Sequence, residues 1–178
     1  LVRDRGGRIE FLSKTAQPTR VRLLLEQSQV SDDDLERLVA LEGLVSLQLS
    51  TTRVTDAGLA HLAGLEALET LDVTRTRVSD AGLSALRKLP RLQKLSVGFT
   101  RVRGSGLGGL KALTTLELSG AQVTDGTLEF LVGLPKLAVL DLGLSRVTDQ
   151  GLARLAGIQT LEVLRLNGTT IGDAGLEH

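Results

Sequence analysis

Few residues in this chain are of types and spacings that suit chemistry. The 178 residues contain no cysteine, two histidines, and 21 Lys plus Arg against 21 Asp plus Glu. Without thiols there is neither a disulfide framework nor a thiolate metal site. His61 lies among Ala60 and Ala63 and has no second histidine to form a metal pair. It reads as a solvent-facing helical residue rather than a base or ligand. A literal G-x-G-x-x-G occurs at Gly104, Gly106 and Gly109, with Glu129 following 20 residues later. That pattern can cradle a dinucleotide, but only inside a βαβ unit of about 30 residues. Here Gly106-Leu107 repeats Gly82-Leu83, and the path from one strand to the next is 21 residues. The glycines therefore read as a degraded repeat helix, and we expect no cofactor and no metal. Two regular series remain. Asp72, Glu117 and Asp141 stand 45 and 24 residues apart, and Arg53, Arg77, Arg101 and Arg146 stand 24, 24 and 45 apart.

Those intervals belong to the whole chain. Leu23, Leu47, Leu71 and Leu95 recur every 24 residues, Leu116 follows after 21, and Leu140 and Leu164 resume at 24. A fixed period of this size signals a solenoid of stacked coils. Within a coil, alternating leucines predict a short strand with every second residue inward. Ser/Thr-Asp pairs such as Thr55-Asp56, Ser79-Asp80, Thr124-Asp125 and Thr148-Asp149 then start a helix, with the acid facing the positive end of its dipole. Leucines at i, i+3, such as Leu59 and Leu62, supply the buried stripe. Glycines recurring at one helical position, including Gly58, Gly82 and Gly151, predict close approach between coils.

The spelling Leu68-x-x-Leu71-x-Val73-x-x-Thr76-x-Val78, repeated at Leu137 to Val147, resembles the leucine-rich-repeat family. The resemblance covers residues 21–176. The trailing V-[TS]-D-x-G-L is similar to the ribonuclease-inhibitor-like and cysteine-containing subclasses, of bacterial type. Where that family has Asn or Cys, this chain has Ser28, Thr52, Thr76, Thr100, Ala121, Ser145 and Thr169. The hydroxyls are expected to bond a neighbouring coil's backbone, and Ala121 to offer nothing. The resemblance implies a right-handed α/β solenoid, with parallel strands on the concave face and short helices on the convex one. It also implies that the sheet binds a protein partner.

We read residues 1–20 as an N-terminal cap, with Phe11 and Leu12 over the first coil's core and Pro18 as the break before it. Coils follow at 21–44, 45–68, 69–92, 93–113, 114–137 and 138–161, with a partial coil at 162–176. Glu177 and His178 are set aside as a candidate tag remnant. Coil 93–113 has Gly104 where others have Asp, so its convex segment is expected to be the least ordered. Leu1 in place of Met suggests excision from something longer. The last coil lacks a polar cap, from which we expect either further repeats or end-to-end homodimerisation.

On the exposed face, one strand column reads Leu24, Gln48, Asp72, Ser96, Glu117, Asp141, Arg165. Neighbouring strands lie about 4.8 Å apart, so Glu117 adjoins Asp141 and lies roughly 10 Å from Asp72. A solvated sheet leaves such acids ionised, which suits an acidic contact patch better than general acid–base work. Just beyond the strands, Arg75, Phe99 and Leu144 share another column. Phe99 and Leu144 either stand exposed there or fold back onto the core edge; where exposed, apolar groups and arginines serve as interface anchors. The charge balance, and only three aromatic residues, argue against nucleic acid. No apolar run reaches the roughly 18 residues of a membrane span. The composition chooses no compartment. The expected contact residues are Asp72, Arg75, Phe99, Glu117, Asp141, Leu144 and Arg165.

Overall fold

The computed structural model describes residues 2, 5–12, 20–41 and 43–177. Pro18 and His178, singled out above as a chain break and a tag remnant, lie outside the described residues. Eight strands form one sheet in sequence order. They are β1 (Arg8–Phe11), β2 (Val21–Leu24), β3 (Leu44–Gln48), β4 (Thr70–Asp72), β5 (Lys94–Ser96), β6 (Thr115–Glu117), β7 (Val139–Asp141) and β8 (Val163–Arg165). All neighbours from β2 onward are parallel, while β1 runs antiparallel to β2. The return paths carry α1 (Asp32–Glu36), α2 (Asp56–His61), α3 (Asp80–Leu86), α4 (Leu128–Leu131) and α5 (Asp149–Leu155).

Helices this short are not stable alone; they form because each buries an apolar stripe against the sheet. Leu59, Leu62, Leu83 and Leu86 are sealed from solvent, as are the strand leucines Leu47, Leu71, Leu95, Leu116 and Leu140. Together they make one continuous core along the stack. Strands repeat at about 4.8 Å, whereas packed helices need about 8–10 Å. A stack built from both must bend with its strands on the inner side.

Two local devices differ from expectation. The hydroxyl column does not reach across coils. Thr52, Thr76 and Thr100 each donate three residues back within their own coil, to the carbonyls of Leu49, Val73 and Val97, at 2.7, 2.6 and 2.6 Å. A short side chain in this turn finds its own coil's carbonyl nearer than any neighbour's. The bonds between coils come from the aspartates instead. Asp56 accepts the Ser79 N–H at 2.7 Å and its hydroxyl at 2.6 Å, and Asp32 and Asp125 treat Thr55 and Thr148 in the same way. Each acid thus ties the helix start of its own coil to that of the next.

The series breaks at Gly104, and Asp80 and Thr127 cover the gap. Asp80 accepts the N–H groups of Arg103, Gly104 and Gly106 at 2.9, 2.8 and 3.1 Å. Thr127 donates its hydroxyl to the Arg103 carbonyl at 2.6 Å. Only a three-residue 3-10 turn, Leu107–Gly109, replaces a helix here. Amides held by a carboxylate cannot cradle a phosphate, so the G-x-G-x-x-G is spent on the repeat.

The N-terminal segment lies differently from the expectation too. Phe11 and Leu12 are 61% and 43% exposed. As part of a strand added at the sheet edge, Phe11 and its neighbours have a coil on one side only. β1 joins the sheet through backbone pairing with β2, and among the described residues of this segment Val2 packs on the core.

Candidate recognition surface

The strand register places Leu24, Gln48, Asp72, Ser96, Glu117, Asp141 and Arg165 side by side across the sheet. The expected acidic column is therefore a physical row, but its members are separately employed. Asp72 accepts the Thr74 N–H and Asp141 the Gly143 N–H, both at 2.8 Å. Glu117 accepts the Ser96 hydroxyl at 2.8 Å and pairs with Lys94 at 2.8 Å. Burial pushes the Glu117 carboxyl up, but bonds from Lys94 and Ser96 and the charges of Lys94 and Arg165 outweigh it. The pKa ends below the usual glutamate value. An ionised carboxylate held this way is the opposite of a general acid.

Lys94 belongs to a second outward column that the sequence reading passed over. Arg22, Ser46, Thr70, Lys94, Thr115, Val139 and Val163 are cross-strand neighbours two residues before the acidic row. Period-two alternation alone would have exposed it. Arg22, Thr70, Asp72, Lys94 and Glu117 line a shallow recess of 380 Å³ on this face.

The Lys94–Glu117 pair gives a pH-dependent prediction. Because the folded pKa is depressed, the pair's contribution is present above the ordinary glutamate pKa and is lost as pH falls through the folded value. Carboxyl NMR of wild type should place the Glu117 midpoint below that of an ordinary glutamate. Lys94→Gln should move it upward. An unmoved midpoint would mean that Lys94 does not hold Glu117 in solution.

Just past each strand from β2 onward, one recurring position has a left-handed backbone. Gln27, Thr51, Arg75, Phe99 and Leu144 have φ between 53° and 58°, and Gly120 and Gly168 have 67° and 70°. Such φ values are rare outside glycine, and a bulky residue there stores about 1–2 kcal/mol of strain. The stack enforces them by extending the sheet ladder. The Arg75, Phe99 and Leu144 amides donate to the carbonyls of Gly98, Ser119 and Asn167 at 2.9, 3.0 and 2.8 Å. Phe99 and Leu144 are 44% and 57% exposed, so neither folds back into the core. The Arg75 guanidinium lies 4.6 Å from the centre of the Phe99 ring. Phe99 also leans over Gly120, and Leu144 over Gly168, where an added Cβ would come within 2.5 and 2.6 Å.

The structure thus places the seven expected residues on two adjoining rows. Asp72, Glu117, Asp141 and Arg165 lie on the sheet, and Arg75, Phe99 and Leu144 lie on its left-handed rim. Among the described residues no cluster of His, Cys, Asp and Glu is arranged to hold a metal, and no helix is long and apolar enough to cross a membrane.

A family model described as Leucine Rich repeat matches residues 66–86 and 157–177. No curated protein matches the chain. Among solved structures, an internalin from Listeria monocytogenes is 28% identical, with a TM-score of 0.64, over 76% of this chain and 38% of its own. Internalin C2 from the same bacterium is 26% identical, with a TM-score of 0.61, over 85% of this chain and 73% of its own. A TDR receptor, 16% identical with a TM-score of 0.53 over 75% of this chain and 24% of its own, shares the fold alone. The chain therefore spans well under half the length of the first internalin. Matched repeats, an unclosed α/β solenoid and internalin neighbours together support a leucine-rich-repeat protein, and none of them selects a subclass.

Proposed function

We propose that residues 21–176 form a non-enzymatic protein-recognition module, capped by residues 1–20, that binds its partner through the sheet face and the adjoining left-handed rim. The observation that carries this is the rim itself. Arg75, Phe99 and Leu144 are large, exposed and held on strained backbone beside an acidic row. Strain is retained where the surrounding structure enforces it, and it clusters at functional sites. The partner offers basic or mixed charge around an apolar spot. The V-[TS]-D-x-G-L ending supports a ribonuclease-inhibitor-like or cysteine-containing-like subclass with Thr or Ser at the cysteine position.

A second reading, a self-associating structural segment, is favoured by the last coil. Leu161, Leu164, Leu166 and Ile171 are half-buried or less well covered, whereas their counterparts Leu137, Leu140, Leu142 and Val147 are sealed at 0% exposure. A further coil stacked there, the chain's own or a second copy's, would cover them.

Affinity capture from lysate of the source cells, with wild type beside a folded Asp72→Arg/Phe99→Ala/Asp141→Arg variant, separates the two. A protein retained by wild type and lost by the variant is the expected result. Equal retention by both, or recovery of the bait alone, would overturn the sheet-face proposal in favour of end-to-end assembly.

A further inference from the structure

Past the left-handed rim runs the arginine series, and one coil interrupts it. Arg53, Arg77, Arg101 and Arg146 are exposed, and none has a carboxylate within 4 Å among the described residues. This edge is positive, whereas the sheet face mixes Asp72, Glu117 and Asp141 with Arg22, Lys94 and Arg165. In coil 114–137 the rim residue is Gly120, the hydroxyl residue is Ala121 and the arginine is Gln122. Three successive reductions in side chain leave a recess of 630 Å³, lined by Arg103, Gln122, Thr124, Leu144 and Arg146 over a Gly120–Ala121 floor. That volume falls within the range of about 300–1,000 Å³ typical of ligand sites.

No acidic residue lines the recess. Asp125, next to Thr124, is turned to the Thr148 N–H and hydroxyl at 2.8 and 2.7 Å. Gln122 accepts the Arg103 Nε–H at 3.0 Å, which fixes that guanidinium while its terminal donors stay available. Arg146 stands on the opposite bank beside exposed Leu144. Two guanidiniums with amide and hydroxyl donors between them match carboxylates, and Leu144 offers a dry shelf for a neighbouring side chain.

We propose that this recess binds an acidic peptide segment of a partner protein, with two carboxylates gripped by Arg103 and Arg146 and an apolar residue laid on Leu144. A concave, apolar-flanked site suits a peptide better than a phosphate backbone. The arginine row is interrupted at Gln122, and the chain has no Trp or Tyr on which bases could stack. Charge complementarity gives the site its specificity and its salt dependence. Apart from Leu144, the site is distinct from the sheet-face residues.

The probe is a fluorescein-labelled Glu-Glu-Leu-Glu-Glu peptide, read by anisotropy on the full chain beside its Gln-Gln-Leu-Gln-Gln counterpart. Wild type should bind the acidic peptide saturably, and more weakly as salt rises. The glutamine peptide should fail to bind. Arg103→Glu/Arg146→Glu should weaken binding by about tenfold or more, and Arg103→Gln/Arg146→Gln should also weaken it. Arg53→Glu/Arg77→Glu carries the same charge change at a distance, and it should leave affinity within about threefold. Asp72→Arg/Asp141→Arg should abolish capture of a sheet-face partner and leave the peptide bound, so failure of either reading is seen separately. Circular dichroism confirms that each variant is folded. The proposal is overturned by an absence of peptide binding, by equal losses in the near and distant arginine pairs, or by tighter binding of a single-stranded oligonucleotide or anionic vesicle through the same arginines.

Discussion

Replacing Phe99 and Leu144 together with glycine should abolish partner capture while leaving the fold as stable as wild type or more so. Both residues occupy left-handed backbone, at φ 53° and 55°, which glycine adopts freely. Relief of about 1–2 kcal/mol at each site outweighs the roughly 0.4–1 kcal/mol by which glycine's flexibility favours the unfolded chain. The contacts of Phe99 with Gly120 and Arg75, and of Leu144 with Gly168, oppose this in part, and both side chains are already about half exposed. The urea midpoint should therefore stay level or rise, by about 0.5–1 kcal/mol per site in free energy. Affinity should fall by more than about 2 kcal/mol if these are the interface anchors. Phe99→Ala/Leu144→Ala keeps the strain and loses the anchors, so it should bind as poorly as the glycine pair and unfold at lower urea. A drop of more than about 1 kcal/mol in the glycine pair would reassign both residues to packing. Undiminished capture by a well-folded glycine pair would remove the rim from the interface.

The second large effect lies on the opposite side of the stack. Gly82→Val should destabilise the protein by about 3 kcal/mol or more, whereas Gly108→Ala should be neutral or stabilise it by about 0.5–1 kcal/mol. A Cβ at Gly82 would stand 2.5 Å from Asp56 Oδ1 and 3.0 Å from the Asp56 Cα. The carboxylate cannot swing aside, because it holds the Ser79 N–H and hydroxyl. The substitution therefore forces coils apart and strands two part-buried donors at the same time. A Cβ at Gly108 meets the Phe130 carbonyl at 3.6 Å, an ordinary contact, and its backbone is not left-handed. Denaturant titration of the two variants checks the contrast. Similar, small effects would show that the glycine column is not where coils meet.

Much of this protein was legible before any coordinates. The interval of 24 residues determined the solenoid, because a strand and a short helix that cannot bury an apolar stripe alone must stack on their neighbours. It also determined which residues share a row. Asp72, Glu117, Asp141 and Arg165 are cross-strand neighbours because rows follow directly from a period. The row that Phe99 and Leu144 share followed from position, but whether they stand exposed or fold back onto the core edge was decided by the structure.

What only the tertiary structure decided is the identity of each side chain's partner. Asp56 read as a helix-dipole residue, yet it bonds 23 residues ahead. Thr52 read as a bridge between coils, yet it bonds within its own turn. Phe11 read as a core cover, yet it stands exposed on a strand that joins the sheet through its backbone. Lys94 went unremarked, yet it pairs with Glu117 and helps hold that carboxyl below the usual glutamate range. The left-handed rim was invisible for the same reason. Thr51, Arg75, Phe99 and Leu144 share no conformational preference, and hydrogen bonds from the next coil impose one on them. Periodicity is a property of one chain's order and can be counted. Partner choice is a contest between acceptors a few ångströms apart, settled only when two coils lie against each other.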